Sequence, residues 1–304
     1  MSYRLVTYAA DGGPRAGVAI ADEVFDAATL TGHTGDATVL GILEDWDTAR
    51  ARLARAAAGP GKGRPLGGTR LLAPIRWPSA IYCAGANYAD HAAEMARAQN
   101  REPPADPHTL GLKPWHFIKA GRSTLAAPEE KVAITGMSQT MDWEIELAAV
   151  IGRTAKNVSL AQALDHVAGY TIANDLSARD MGRRPGVADD SPFKHDWLAH
   201  KNFDGSCPLG PWIVPAGDIP DPQNLGLKLW VNDVIKQDSN TGQMIFNLAE
   251  QIAHLSSRLT LHPGDLILTG TPAGVGAGRN EFLKAGDVVK IWIEKIGSLT
   301  TKIA

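Results

Sequence analysis

Asp142-Trp143-Glu144-Ile145-Glu146-Leu147-Ala148-Ala149-Val150-Ile151-Gly152 is the stretch on which the fold turns. Acids at alternating positions run directly into an apolar strand. Successive side chains of a strand point to opposite faces, so Glu144 and Glu146 share one face. Two carboxylates held side by side repel, and a divalent cation taking oxygen ligands is the usual way to stabilise such a pair. A solvated strand edge is the plainer alternative.

Working outward, Asn174-Asp175-Leu176-Ser177-Ala178-Arg179-Asp180 follows a second apolar run, Gly169–Ala173. Asp175 therefore lies at a strand's end, where it can face a shared cavity with the two glutamates. Three carboxylates without a Cys or His cluster make an oxygen-only site. Such a set suits Mg²⁺, Mn²⁺ or Ca²⁺ rather than zinc and leaves positions open for water and substrate. Asp142 and Asp180 read as turn or capping acids.

Beyond Pro74 the same texture continues in short β-branched or apolar runs separated by Gly, Pro, Asn and Asp: Ala80–Cys83, Trp212–Val214, Leu227–Val231, Leu266–Thr269 and Val288–Ile293. Helical patterns are local, at Tyr88 to Gln99, Leu160 to His166 and Asn247 to Leu259, the last with Asn247 as cap. No regular βαβ alternation appears, which argues against a doubly wound sheet. The class is α+β, mainly β. The Gly/Pro/basic loop at residues 59–65 marks a boundary between a small N-terminal α/β domain, 1–72, and a main domain, 73–304. Within the first, Thr38 to Ala56 has helical spacing.

The chain has 304 residues, 44% of them hydrophobic, enough for a full core without staples. A net charge of -3 gives no reason for nucleic acid as a partner. Two cysteines, Cys83 and Cys207, are too few for a disulfide framework and fit a reducing cytoplasm. The N-terminal residues lack a signal-like pattern and no apolar run approaches the roughly 20 residues of a membrane span, so neither export nor membrane embedding is expected.

Further chemistry sits in three places. In Gly85-Ala86-Asn87-Tyr88-Ala89-Asp90-His91-Ala92-Ala93-Glu94, His91 and Glu94 face the same way on one helix. A His steadied by a carboxylate is a suitable general base; an exposed helical ion pair is the alternative. Lys201 precedes an aromatic residue and then a fixed apolar stretch, Cys207-Pro208-Leu209-Gly210-Pro211-Trp212, where a cation needs a reason to be near. Thr269-Gly270-Thr271-Pro272-Ala273-Gly274-Val275-Gly276 ends a strand in a glycine-rich turn without the Gly-Lys-Ser/Thr of a P-loop. Its amides and the Thr271 hydroxyl read as a cradle for a carboxylate. A G-x-S-x-G elbow, an H-E-x-x-H helix and spaced Cys pairs are all missing, which removes the basis for serine-hydrolase and zinc-peptidase readings.

Taken in order, the motifs at Asn87–Glu94, Asp142–Leu147, Asn174–Asp180, Lys201 and Thr269–Gly276 resemble the fumarylacetoacetate hydrolase superfamily over roughly Pro74 to Ile303. The resemblance implies a mixed, largely β roll, a homodimer, and Mg²⁺ or Mn²⁺ held by Glu144, Glu146 and Asp175; Ca²⁺ could take that place in a crystal. It implies that His91 and Glu94 activate a water and that Lys201 steadies an oxyanion. It assigns substrate contacts to Lys119, Tyr88, Arg179, Gly270 and Thr271. Two departures bear on the substrate. Gly182 stands where some hydrolases carry a glutamine, three residues after Arg179, and a long polar segment, Arg183 to Ala199, looks like a mobile lid whose Arg183 and Arg184 could pair with a second substrate carboxylate.

The reaction then expected is metal-dependent cleavage of a carbon–carbon bond in a small 2-oxo acid of the acylpyruvate type. Decarboxylation or keto–enol isomerisation of a related dicarboxylic acid is second in order, since all three pass through an enolate whose charge the metal would hold. A non-catalytic metal-binding module ranks last.

Overall fold

The alternation in the opening stretch is realised as the strand Ile145–Ile151, buried on both faces. Leu147, Ala149 and Ile151 enter one apolar cluster. Ala148 and Val150 enter another, so this strand is a partition between two cores. The computed structural model describes residues 2–134, 136 and 138–304.

On one side Ile145–Ile151 pairs antiparallel with Val167–Asn174, placing Glu146 opposite Ala173. On the other it pairs with Leu266–Leu268, and the sheet continues through Ile81–Ala84 to His116–Lys119. Past Val167–Asn174 comes Cys207–Pro215. The N-terminal strands Arg4–Ala10, Gly13–Ile20 and Glu23–Asp26 extend the same twelve-stranded sheet, joined through Leu5 opposite Ile213. Leu5, Val18 and Leu53 share a cluster with Leu209 and Leu266. Pairing is mostly antiparallel, as expected of an α+β chain without βαβ units.

A five-stranded sheet, which includes Gly226–Val231, Val288–Ile293 and Gly297–Ile303, covers the other face of the partition. Leu227, Leu229, Val289, Ile291 and Leu299 join the cluster that holds Leu147. The sequence pattern Lxx-x-I-x-x-L of Leu248–Arg258 buries Leu248, Ile252 and Leu255, and Asn247 closes a full capping box with Glu250.

Two helical expectations change. The Thr38 to Ala56 stretch is two helices, Val39–Glu44 and Trp46–Ala57, broken at Asp45; Thr38 caps the first by accepting from the Gly41 amide. Leu160 to His166 shrinks to a 3₁₀ turn, Ala163–His166. Leu160 and Leu164 are exposed and Ala163 is the residue of the turn that enters the core, so this short segment buries too little apolar surface to hold a full helix. No helix among the described residues is long and apolar enough to cross a membrane.

Candidate active site

Glu144 and Glu146 stand at the start of the partition strand and Asp175 just past the end of its antiparallel partner. The pairing itself therefore brings the three acids together. Two bonds fix the junction: the Asp175 amide donates to the Glu144 carbonyl at 2.9 Å, and the Glu144 amide donates to Asn174 Oδ1 at 3.1 Å. One carboxylate oxygen from each acid lies within 4.8 Å of the others, and all three residues are buried.

Cations surround this cluster unevenly. Lys201 Nζ donates to Glu144 Oε2 at 2.9 Å and to Asp175 Oδ2 at 2.6 Å. Lys119 Nζ donates to Asp175 Oδ1 at 2.6 Å and also to the Leu176 and Lys201 carbonyls. Arg179 forks between Asp142 Oδ2 and Glu144 Oε1, at 2.8 and 2.5 Å. Among the described residues, the Glu146 side chain has only the Gly270 amide as a hydrogen-bond donor, at 2.7 Å.

The consequence is a split between two neighbouring glutamates. Burial alone would raise Glu144, but Lys201 and Arg179 reverse that and hold it well below the usual carboxylate range. Burial raises Glu146, and the nearby Asp175 and Glu144 raise it further. Lys201 stays charged because Asp175 and Glu144 outweigh the cost of burying it. An all-oxygen donor set with one uncompensated carboxylate fits a hard divalent cation.

His91 lies on the helix Ala89–Ala98 with its Nδ1 3.7 Å from Glu94 Oε2, close enough for charge coupling though long for a hydrogen bond. Burial would raise the Glu94 carboxyl, but His91 and the Gly274 amide together hold it down. Asn87 locks the approach to this helix: its side chain donates to the Phe246 and Thr269 carbonyls and accepts from the Phe246 amide.

The glycine-rich turn does cradle carboxylates, but they belong to the chain. The Gly270 amide holds Glu146 and the Gly274 amide holds Glu94 at 2.8 Å; Gly276 and Ala277 hold Asp142 at 2.6 and 3.0 Å. Gly270 is thus a positioning residue, correcting its assignment to substrate. Thr271 Oγ1 accepts from Gln237 Nε2 at 2.9 Å and keeps its own proton to donate.

Glu144, Glu146, His91, Arg179, Lys201 and Thr271 line one cavity of about 150 Å³. Lys119 does not reach it: the side chain is 0% exposed and its donors are consumed by Asp175 and two carbonyls. Tyr88 is equally buried and stays out of the lining. Arg183 and Arg184 pair with Asp189 and Asp196 at 2.8 and 2.5 Å within their own exposed segment and lie outside the cavity lining. Asp142 and Asp180 are capping acids, as expected; Asp180 takes Ser138 Oγ and the Gln139 amide.

Sequence reasoning missed the other wall, made by Trp115, Phe117, Trp197 and His200. Trp197 lies edge-on to Trp115 at 5.3 Å and stacks on Phe117 at 5.5 Å. The available signal was an aromatic pair two apart in Trp115-His116-Phe117, which puts both on one face of a strand.

Residues 80–304 match the family model described as fumarylacetoacetate (FAA) hydrolase C-terminal. A human mitochondrial oxaloacetate tautomerase is 39% identical over 269 residues, 88% of this chain and 79% of the relative. A putative HpcE protein from Mycobacterium smegmatis superposes with a TM-score of 0.82 at 33% identity, covering 99% of each chain. Maleylpyruvate hydrolase from Sphingobium sp. SYK-6, solved with manganese(II) and pyruvate, superposes at 0.75 with 30% identity, covering 99% of this chain and 98% of that one.

Proposed function

The chain belongs to the fumarylacetoacetate hydrolase family, and on that premise we propose that it moves the C3 proton of a small 2-oxo acid, interconverting keto and enol forms with Mg²⁺ or Mn²⁺. The observation that carries this reading is a buried acidic triad, short of one positive charge, whose Glu144 and Glu146 line one cavity with His91, the imidazole that Glu94 backs from behind. Glu144, Glu146 and Asp175 would hold the cation. When bound, it supplies positive charge toward the 1-carboxylate and 2-oxo oxygens of the substrate.

The chain's own residues do the rest. His91 takes the C3 proton and Glu94 stabilises the imidazolium formed. The imidazolium then gives that proton to the C2 oxygen to make the enol, and the reverse sequence restores the keto form. Glu94 is held ready by the Gly274 amide. Lys201, kept charged by Glu144 and Asp175, and the free Thr271 proton line the same cavity and would stabilise the oxygen on which negative charge grows. The small cavity limits water around that charge.

A second reading is hydrolysis of the C3–C4 bond of a 2,4-dioxo acid. The same His91–Glu94 pair can activate water, and the similarity to a maleylpyruvate hydrolase favours it. Sequence motifs alone rank hydrolysis first; similarity to oxaloacetate tautomerases over most of the chain reverses the order. The reading includes a homodimer, which the motif resemblance implies, and a cytoplasmic location, which the two lone cysteines favour.

The test is a panel of oxaloacetate and 2,4-dioxo acids with Mg²⁺ or Mn²⁺, following enol absorbance and release of pyruvate separately. Enol–keto exchange that disappears in His91→Ala, with cation binding retained, is the expected result. Full activity in that variant removes His91 from the mechanism, and pyruvate release without accelerated exchange promotes the second reading.

A further inference from the structure

His200 immediately precedes Lys201 on the short helix Trp197–Lys201 and lines the same cavity as Glu144, Glu146 and His91. Its Nε2 is buried and has no hydrogen-bond partner among the described residues. Such an atom costs free energy unless something outside the chain completes it. Burial, reinforced by Lys201 and Arg179, lowers the imidazole to about 3, so near neutral pH it is uncharged, with one N–H and one free acceptor.

The seat of this ring is Gly182. A methyl group built there would lie 2.9 Å from His200 Nδ1 and 3.0 Å from Cγ, too close for either to stay. Gly182 has φ -76° and ψ -21°, a conformation open to any residue. The backbone therefore does not need a glycine at this position; room for the imidazole does. The other side of the ring meets Trp197, with centroids 5.5 Å apart.

We propose that His200 is a specificity-determining contact, hydrogen-bonded to an oxygen on C4 of the substrate, and that Gly182 is bare in order to seat it. The inference rests on the 2-oxo acid reading above and deepens it. The acids, Lys201 and Thr271 serve the charged head, C1 and C2, while His200 is the polar group of an otherwise aromatic wall. Oxaloacetate presents a carboxylate oxygen at C4 and a 2,4-dioxo acid a carbonyl oxygen, so the contact serves either reaction.

The experiment compares substrates with and without that oxygen. Exchange of C3 protons with solvent deuterium is followed by NMR, with Mg²⁺, for oxaloacetate and 2,4-dioxopentanoate against 2-oxobutanoate, whose C4 is a methyl group. Binding of oxalate, which mimics the head alone, is measured by calorimetry. For His200→Phe the rate per substrate should fall roughly 10- to 100-fold for the two C4-oxygen substrates and less than about threefold for 2-oxobutanoate. Oxalate affinity should hold, and His200→Gln should recover part of the loss. Gly182→Ala should reproduce the loss in the parent chain and add nothing to His200→Ala.

Equal slowing of all substrates, or oxalate affinity falling in step with turnover, would show that the ring is structural and overturn the proposal; so would an unchanged preference. Should His200→Phe not fold, His200→Gln and Gly182→Ala carry the same comparison. A parent protein that exchanges no 2-oxo acid removes the proposed function and this contact together, whereas exchange indifferent to His200 removes the contact alone.

Discussion

Replacing Lys119 by Met separates two roles for a lysine that sequence resemblance places at the substrate. The ammonium is fully buried and spends its donors on Asp175 Oδ1, the Leu176 carbonyl and the Lys201 carbonyl. Methionine fills a similar volume but leaves Asp175 with Lys201 as its one cation and strands two carbonyl acceptors. Breaking one side of a buried ion pair costs about 3–5 kcal/mol, and the orphaned carbonyls fall largely within that figure because the same atoms relax together. Melting should drop by roughly 10 °C. Thermal and urea unfolding with and without Mn²⁺ are the assays, alongside KM for whichever 2-oxo acid is turned over. A loss of stability with KM changed little supports the positioning role. Melting within about 1 °C of the parent together with a raised KM would refute it and return Lys119 to the substrate.

Gly274→Ala should lower turnover by more than about tenfold, because φ is +103° and the new methyl would stand 2.1 Å from the Lys236 carbonyl, moving the amide that holds Glu94; turnover within twofold of the parent would show that Glu94 needs no such support. Arg183→Ala with Arg184→Ala should leave KM for a dicarboxylic substrate within about twofold and stability within roughly 1 kcal/mol, as both arginines sit in exposed pairs with Asp189 and Asp196; a tenfold rise in KM would restore them as substrate contacts. Burial, with His254 adding to it, lowers His116 to about 4 from an ordinary 6.5. The unfolded chain then takes up a proton below pH 6.5 that the folded chain refuses until about 4, so stability is present above 6.5 and declines as pH falls through that window. The deficit is about 2 kcal/mol at pH 5. Urea unfolding at pH 7 and pH 5 should show His116→Gln losing less stability than the parent by about that amount, and parallel losses would exclude His116 as the source.

The fold was legible where local chemistry and period coincide. Gly169–Ala173, Leu227–Val231 and Val288–Ile293 are apolar alternations that become strands, and Asn247 with Glu250 is a capping box visible in four letters. The acidic triad was legible for the same reason: alternation fixes Glu144 and Glu146 to one face, and strand pairing then delivers Asp175. What could not be read is anything decided by which neighbour consumes a donor. Lys119, Arg183 and Arg184 are cations in the right part of the sequence, yet each meets an internal acid first. No period in the sequence announces that. The aromatic wall is likewise a product of tertiary packing, since Trp197 comes from a segment some eighty positions after Trp115 in the chain.

Charge explains why the glycine-rich turn is spent on the protein's own acids rather than on substrate. Around the triad stand three cations, Lys119, Lys201 and Arg179, against four carboxylates, Asp142, Glu144, Glu146 and Asp175. Backbone amides carry partial positive charge without a side chain's bulk or mobility, so they can steady Asp142 and Glu146 without adding another side-chain cation to the cavity beside Arg179 and Lys201. Counted with every carboxylate ionised the centre is one negative charge in excess, and Glu146, raised by burial and by Asp175 and Glu144, is the carboxyl that gives up its proton only when a cation takes that place. A lysine in place of those amides would cancel the excess and remove the incentive to bind a cation. With the excess retained, a divalent cation turns the centre net positive, which is the condition for drawing in a carboxylate-bearing substrate. Substituting Glu146→Gln should therefore weaken cation binding more than it weakens the fold. Relief of repulsion from Asp175 and Glu144 is the reason, and calorimetric titration with Mn²⁺ beside a urea melt reads both; a variant less stable than the parent yet equal in Mn²⁺ affinity would contradict this account of the centre.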